Sequence, residues 1–263
     1  MSRELPAFRL DDLHERRTRY CVCVFVLDEG ERIRRQLARM QPLAGLADLI
    51  VADGGSTDGS LELTELRTLG VRALLTKEGP GGLSAQLRMA LAWALDEGYE
   101  GVVVVDGNDK DDPAALPRFL AALDAGYDHV QGSRFAAGGA AVRTPLARLL
   151  GLRLVHAPAI SLAAGFRYSD TTNGFRAYSS RLLLDPRVAP FRSVFKAYEL
   201  HYYLAVRAPR VGYRTIEVPV TRSYPVHGRT PTKISPLRGN LRILGTLLRA
   251  CLHRFDPPLA DAR

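Results

Sequence analysis

Val102-Val103-Val104-Val105-Asp106-Gly107-Asn108-Asp109-Lys110-Asp111-Asp112-Pro113 is the most informative segment of this chain. Four consecutive valines read as a strand buried on both faces, the pattern of a parallel sheet covered by helices. The acidic cluster follows where that strand leaves the sheet, the edge at which open α/β sheets bind ligands. Carboxylates crowded onto one turn repel one another unless they share a hard cation or are well solvated. Two readings follow. In one, a divalent metal on this turn holds a diphosphate. In the other, the turn is merely solvated, and Asp111 and Asp112 favour the N-terminus of a helix beginning at Pro113.

The flanking sequence alternates strand and helix, which predicts an α/β fold with a mostly parallel central sheet between helices. Strands are expected at Tyr20–Leu27, Leu46–Ala52, Val71–Thr76, Gly101–Asp106 and Tyr127–Gln131. Helices are expected at Glu29–Met40, Thr57–Leu69, Leu83–Glu97 and Pro113–Ala125. Beyond Gly132 the pattern changes to a Gly138-Gly139 turn and an amphipathic helix broken near Pro158, then strands at Phe175–Tyr178 and Val211–Val220 around a helix near Tyr198–Arg207. Residues 222–236, rich in Pro, Gly and Thr, read as a mobile loop. From Leu237 to Phe255, Leu237, Leu241, Leu244, Leu248, Cys251, Leu252 and Phe255 form one stripe, with Arg238, Arg242, Arg249 and His253 beside it. Such a basic amphipathic helix suits an anionic membrane surface, or else packs its stripe on the protein's own sheet.

The 263 residues suffice for a sizeable core. Thirty-six Lys and Arg against 28 Asp and Glu leave a formal net charge of +8, which suits an anionic partner such as a nucleotide, a polyphosphate, nucleic acid or acidic lipid. A basic module for RNA would interleave aromatics with Arg on an exposed sheet face; no such stripe is present, and the carboxylates at 106–112 would repel a phosphate backbone, so nucleic acid is not an expected partner. Cys21, Cys23 and Cys251 make no metal spacing and read as core thiols of a reducing compartment. No secretory signal opens the sequence, and no uninterrupted apolar run reaches membrane-spanning length. The expectation is a cytoplasmic protein without a transmembrane helix, peripheral at the inner face of the membrane if the C-terminal helix docks there.

Two further turns carry chemistry. Asp53-Gly54-Gly55-Ser56-Thr57-Asp58 is a strand end and glycine turn at which Asp53 can accept hydrogen bonds from a base. Gly79-Pro80-Gly81-Gly82-Leu83-Ser84-Ala85 opens a helix whose N-terminal N–H groups can face an anion, yet it lacks the Gly-Lys-Ser/Thr of a P-loop. The dinucleotide fingerprint Gly-x-Gly-x-x-Gly is also missing after the first strand.

In their order these motifs resemble the family 2 glycosyltransferases of GT-A fold, and within them the dolichyl or polyprenyl phosphate mannose synthases. The resemblance spans about Tyr20 to Leu248. Phe25-Val26-Leu27-Asp28-Glu29 stands where the family has Pro-Thr-Tyr-Asn-Glu, and Asp53-Gly54-Gly55-Ser56-Thr57-Asp58 is similar to its nucleoside-holding turn. Asp106-Gly107-Asn108 takes the Asp-x-Asp position, Gln131-Gly132-Ser133-Arg134 resembles the Gly-Thr-Arg before the acceptor loop, and Asp170–Tyr178 resembles Asp-Leu-Thr-Gly-Ser-Phe-Arg-Leu-Tyr. The resemblance implies a nucleotide-binding half at 20–131, an acceptor half at 132–235, an extension at 1–19 and an amphipathic tail at 236–263.

It also implies an inverting transferase that moves a sugar from a GDP- or UDP-linked donor to a polyprenyl phosphate, with Mg²⁺ or Mn²⁺ on Asp106 and Asn108. Leu27, Glu29, Asp53, Gly82, Asp106, Gly107, Asn108, Arg222 and Lys233 would meet the donor, and Arg134 and Arg176 the acceptor phosphate. A phosphate acceptor is already a nucleophile. A soluble hydroxyl acceptor, the alternative, requires a base, for which Asp170 and Glu199 are the candidates. Asn108 replaces the second Asp of Asp-x-Asp and Lys110 stands where a metal-binding Gln is common. Either Asp109 or Asp111 then completes the metal's ligands, or Lys110 itself neutralises donor phosphate.

Overall fold

The computed structural model of the protein describes residues 3–225 and 238–258. The chain begins with strand β1 (Phe8–Asp12), followed by β2 (Tyr20–Val26), α1 (Glu31–Met40), β3 (Asp48–Asp53), α2 (Leu63–Thr68), β4 (Val71–Lys77), α3 (Leu83–Asp96), β5 (Gly101–Asp106), α4 (Leu116–Asp124) and β6 (His129–Ser133). The second part adds β7 (Ala140–Val142), α5 (Leu146–Gly151), α6 (Ala157–Ala164), β8 (Arg176–Ser179), α7 (Ser180–Leu184), α8 (Glu199–Arg210), β9 (Thr215–Pro219), β10 (Thr221–Ser223) and α9 (Arg238–Cys251).

Eight strands form one sheet in the order β1-β4-β3-β2-β5-β8-β6-β9, and β7 and β10 pair apart from it. The pairs β4–β3, β3–β2, β2–β5 and β6–β9 are parallel, whereas β1 and β8 run antiparallel to their neighbours. The continuous valine run follows from burial on both faces. Val102 and Val104 enter the core shared with α3 and α8, while Val103 and Val105 enter the one shared with α1 and α4. Each fully buried valine contributes roughly 1.5–3 kcal/mol, so a polar residue at any of the four costs a core contact.

Register aligns the functional strand ends. Phe25 pairs with Asp106 and Val26 with Asp53, so the tips of β2, β3 and β5 form one row at the C-terminal edge of the sheet.

Several expectations are corrected. The extension contains β1, an edge strand whose Arg9, Asp11 and Asp12 mask its alternation. The helix expected over Thr57–Leu69 begins only at Leu63, because Asp53, Asp58 and Ser60 spend their hydrogen bonds on the preceding turn. The helix expected to break near Pro158 continues through it. A π-helical turn, Leu152–His156, joins α5 to α6, Pro158 falls in the first turn of α6 where its missing N–H costs little, and Gly165 in the left-handed region ends the run. These 19 residues, Leu146–Ala164, are long and apolar enough to cross a membrane by length and composition. They bury Leu152, Ala157, Ile160 and Ala164 and leave Leu146, Leu150, Leu154, Val155 and Leu162 exposed.

The C-terminal helix also departs from expectation. Leu247, Ala250 and Phe255 are buried with Ile243 and Cys251 packed beside them, whereas Leu241, Leu244, Leu248 and Leu252 of the expected stripe face outward. Leu237 and the loop expected over 222–236, beyond residue 225, lie outside the described residues.

Candidate active site

A cleft of about 1070 Å³ opens above the row of strand tips. Among the described residues its lining carries seven cations (Arg32, Lys77, Lys110, Arg134, Arg148, Arg176 and Arg222) and two carboxylates, Glu29 and Asp106. Glu29 is paired with Arg32 at 2.6 Å. A cleft so charged attracts polyanions.

Asp106 is held from several sides. Its backbone carbonyl accepts from Gln36 Nε2 at 2.9 Å, Gly107 N donates to Phe25 O at 2.7 Å, and the Arg222 guanidinium lies 3.1 Å from its Oδ2. Gly174 abuts the carboxylate so closely that a Cβ there would stand 2.7 Å from Oδ1. Asn108 Nδ2 approaches Asp106 Oδ2 at 3.4 Å, while Asn108 Oδ1 is buried with no hydrogen-bond partner. An orphaned amide oxygen beside a carboxylate fits a hard divalent cation. Among the described residues no cluster of three His, Cys, Asp or Glu side chains could hold a metal, so Asp106 and Asn108 would supply only part of a cation's ligands.

Neither expected substitute ligand is free for a metal. Asp109, forced to a positive φ of 56°, turns its carboxylate to Arg35 at 3.2 Å and Arg39 at 2.9 Å on α1. Asp111 is fully buried, bonded to Arg222 and accepting from Asn173 Nδ2 at 3.1 Å. Burial pushes its carboxyl up, and the Arg222 charge opposes that shift. Asp112 caps the turn that begins at Pro113, as the solvated-turn reading held. The segment is zipped to β10: Asp111 bridges Arg222, Asp112 N donates to Thr221 O at 2.9 Å, and Ser223 N to Lys110 O at 2.8 Å. Lys110 is nearly buried, 5.6 Å from the Tyr224 ring centre, and burial followed by the Arg222 charge lowers its pKa.

The other wall is built around Arg134. Its Nε donates to Asp170 Oδ2 at 2.6 Å and its Nη2 to Asp170 Oδ1 at 2.9 Å and Thr172 Oγ1 at 2.8 Å. Burial would raise the pKa of Asp170, yet the bonds and charge of Arg134 outweigh it and the net shift is downward. Asp170 does not line the cleft and both its oxygens are engaged, so it is corrected from base candidate to the residue that aims Arg134. Glu217 of β9 fixes the same loop by accepting from Ser169 N and Asp170 N at 2.9 Å. Glu199 accepts from the N–H groups of Lys196 and Ala197 in the turn before α8 and does not line the cleft, so it is likewise withdrawn as a base.

Arg176 reaches the cleft lining but gives its donors to the carbonyls of Asn173 at 3.0 Å, His201 at 2.7 Å and Thr171 at 2.8 Å, so it braces the loop and acts on an anion only through its charge. Leu27 and Gly82, expected to meet the donor, line the cleft. The N–H groups of Gly82 and Ser84 are taken by the carbonyls of Lys196 and Ala197, so the anion-binding role expected of this helix start does not hold for them. Asp53 is buried and bonded to Ser56 N and Oγ; it shapes the turn that presents Gly54 without itself lining the cleft. Gly107 is a close-approach position, since a Cβ would meet Phe25 O at 2.9 Å. Lys233 lies outside the described residues.

Sequence reasoning missed Arg148 and Tyr224. Arg148 Nη1 donates to Tyr224 Oη at 2.9 Å, and although burial would raise the tyrosine, the Arg222 and Arg148 charges bring its pKa down. Arg148 sits on an apolar helix and Tyr224 next to a loop, so neither carries a motif.

A cleft of this size at the carboxyl edge of a mostly parallel sheet, walled by cations, suits anionic substrates. The chain belongs to glycosyl transferase family 2, whose model matches residues 21–185, and it is a glycosyltransferase of GT-A fold. It is 30% identical over 200 residues to undecaprenyl-phosphate mannosyltransferase of Micrococcus luteus, covering 74% of this chain and 79% of that protein. Over 250 residues it is 29% identical to dolichyl-phosphate hexose transferase of Haloferax volcanii, covering 94% and 97%. Glucosyl-3-phosphoglycerate synthase of Mycobacterium tuberculosis in complex with UDP shares the fold, with a TM-score of 0.64 and 21% identity over 91% of this chain and 81% of that one. Another structure of that synthase, with a TM-score of 0.57 at 20% identity, covers 91% of this chain and 81% of that one and contains Mn²⁺, UDP and glucosyl-3-phosphoglycerate.

Proposed function

We propose that this protein transfers a hexose from a nucleoside-diphosphate sugar to the phosphate of a polyprenyl phosphate, with inversion, at an anionic membrane surface. The observation that carries the reading is the charge of the cleft: cations on both walls, with its two described carboxylates, Glu29 and Asp106, each paired with an arginine, Arg32 and Arg222. An acceptor phosphate needs no base. Its oxygen attacks the anomeric carbon from the face opposite the diphosphate, the bond from that carbon to the diphosphate oxygen breaks, and the nucleoside diphosphate leaves as an anion. Arg134, aimed by Asp170, holds the acceptor phosphate, while Lys110 and Arg222 face the diphosphate. Asp106 and Asn108 would hold Mg²⁺ or Mn²⁺, which would supply charge to the leaving group. The names of the relatives from M. luteus and H. volcanii support a lipid-phosphate acceptor. Exposed Leu244 of α9 and Ala147 of α5 line the cleft, beside the exposed leucines of those helices, which supports a membrane-facing mouth.

The test incubates the protein with UDP- and GDP-hexoses and Mn²⁺, offering polyprenyl phosphate or the matching polyprenol. Nucleoside diphosphate release and a glycolipid only with the phosphate are expected. Equal transfer to polyprenol or to a soluble hydroxyl, or no release from any donor, overturns the reading.

A further inference from the structure

Arg222 sits where two carboxylates converge. One guanidinium nitrogen lies 3.1 Å from Asp106 Oδ2 and the other is bonded to the fully buried Asp111. The two acidic side chains are unequal partners. Asp111 is closed off by Arg222 and Asn173, whereas Asp106 keeps about a third of its side chain exposed to the cleft, at 30%. The backbone reinforces the asymmetry, because Asp111 and Arg222 are also bridged strand to strand. Arg222 is therefore anchored at one end and exchangeable at the other. A metal ion and this guanidinium seek the same lone pairs of Asp106, and two cations cannot share one carboxylate edge without repulsion.

We propose that Arg222 is the resting counter-ion of Asp106 and competes with the divalent cation for it, and that donor diphosphate opens Asp106 to metal by drawing the guanidinium onto itself. Asp111 is the positioning residue that retains Arg222 during the exchange. The inference rests on the donor-site assignment above and makes metal and nucleotide bind cooperatively: each is weak alone, since metal must displace Arg222 and the diphosphate must detach it from Asp106. Asn108, a neutral ligand in place of a second carboxylate, weakens metal binding further and makes the competition by Arg222 effective.

The experiment measures Mn²⁺ binding to the full chain by electron paramagnetic resonance of free Mn²⁺, without nucleotide and with UDP or GDP. The parent protein should bind Mn²⁺ at least about tenfold more tightly with nucleoside diphosphate, within the usual range of coupling between sites. Arg222→Gln should bind Mn²⁺ alone about tenfold more tightly than the parent and lose most of the nucleotide effect, while Arg222→Lys retains the parental pattern in part. Arg148→Gln removes the same charge from the cleft without touching Asp106 and should change Mn²⁺ affinity less than about threefold, as expected for a screened charge. Should Arg222→Gln misfold because Asp111 is left buried and unpaired, the double variant Asp111→Asn with Arg222→Gln removes that liability and is read in the same way. Mn²⁺ binding unchanged by loss of Arg222, or tightened equally by Arg148→Gln, overturns the proposal. Absence of nucleotide binding would instead sink the donor-site assignment, and the nucleotide-free Mn²⁺ titration still decides the role of Arg222.

Discussion

At the residue scale, the site depends on contacts with no spare room. Gly174 lies against the Asp106 carboxylate, so Gly174→Ala must push that group by several tenths of an ångström. We expect about a hundredfold loss of kcat/KM, the usual cost of misplacing a reacting group, with the far-ultraviolet circular dichroism unchanged; parental activity would refute the contact. Asp170 separates a positioning role from a catalytic one. Asp170→Asn leaves Arg134 buried without its counter-charge, which should lower unfolding free energy by about 3–5 kcal/mol in urea titrations. A variant that keeps full stability but loses the acid limb of the kcat–pH profile would restore Asp170 as a base. The sequence marked Asp170 as notable but not for what it does, because Arg134 stands 36 positions away and only the fold brings them together. The same holds for Arg222 and Asp111, separated by 111 positions.

At the element scale, the alternation of strands and helices from β2 to β6 was readable because every strand there is buried on both faces or nearly so. β1 was not, since an edge strand with charged neighbours lacks that signal. Helix α9 shows why apolar stripes mislead. Two lie side by side, and Ile243, Leu247 and Ala250 were taken inward while Leu241, Leu244 and Leu248 were left out. Together with Leu154 and Leu162, exposed at 70% and 87%, the outward leucines form the face proposed for the membrane. Leu154→Asp and Leu162→Asp remove no core contact, so melting temperature should hold. Each should weaken sedimentation with anionic liposomes roughly tenfold, since burying a leucine is worth about 1.5–3 kcal/mol. Undiminished partitioning would assign the face to something other than lipid.

At the scale of the whole molecule, buried histidines set the acid limit. His129 is fully buried against Tyr168 and Tyr178; burial, with the Arg176 charge adding to it, brings its pKa down to about 3. His201 is shifted down for the same two reasons and by His129 itself, and His156 by burial. In the unfolded chain histidine protonates near 6.5, so below that pH the unfolded state binds more protons and stability falls, for His129 until the pH reaches its folded value. The slope is about 1.4 kcal/mol per pH unit for each histidine that remains neutral. Asp170 acts lower: its contribution is complete above the unfolded carboxylate range and is lost as pH drops through its depressed folded value. Urea midpoints should therefore decline between pH 6.5 and 5, and His129→Gln should flatten that decline if it folds. A flat profile over this interval would mean these histidines are not held neutral.

Strand β8 has one more consequence. It enters the sheet between β5 and β6, antiparallel to both, although it follows them by more than forty residues in the chain. A recombinant joined at residue 131, taking its front from one family member and its rear from another, would thus place a foreign strand in the middle of the sheet. Its partners on either side, Gly101 to Val104 of β5 and His129 to Gln131 of β6, would come from a different parent. An exchange at that boundary should for that reason carry Arg176–Ser179 with the strands it touches.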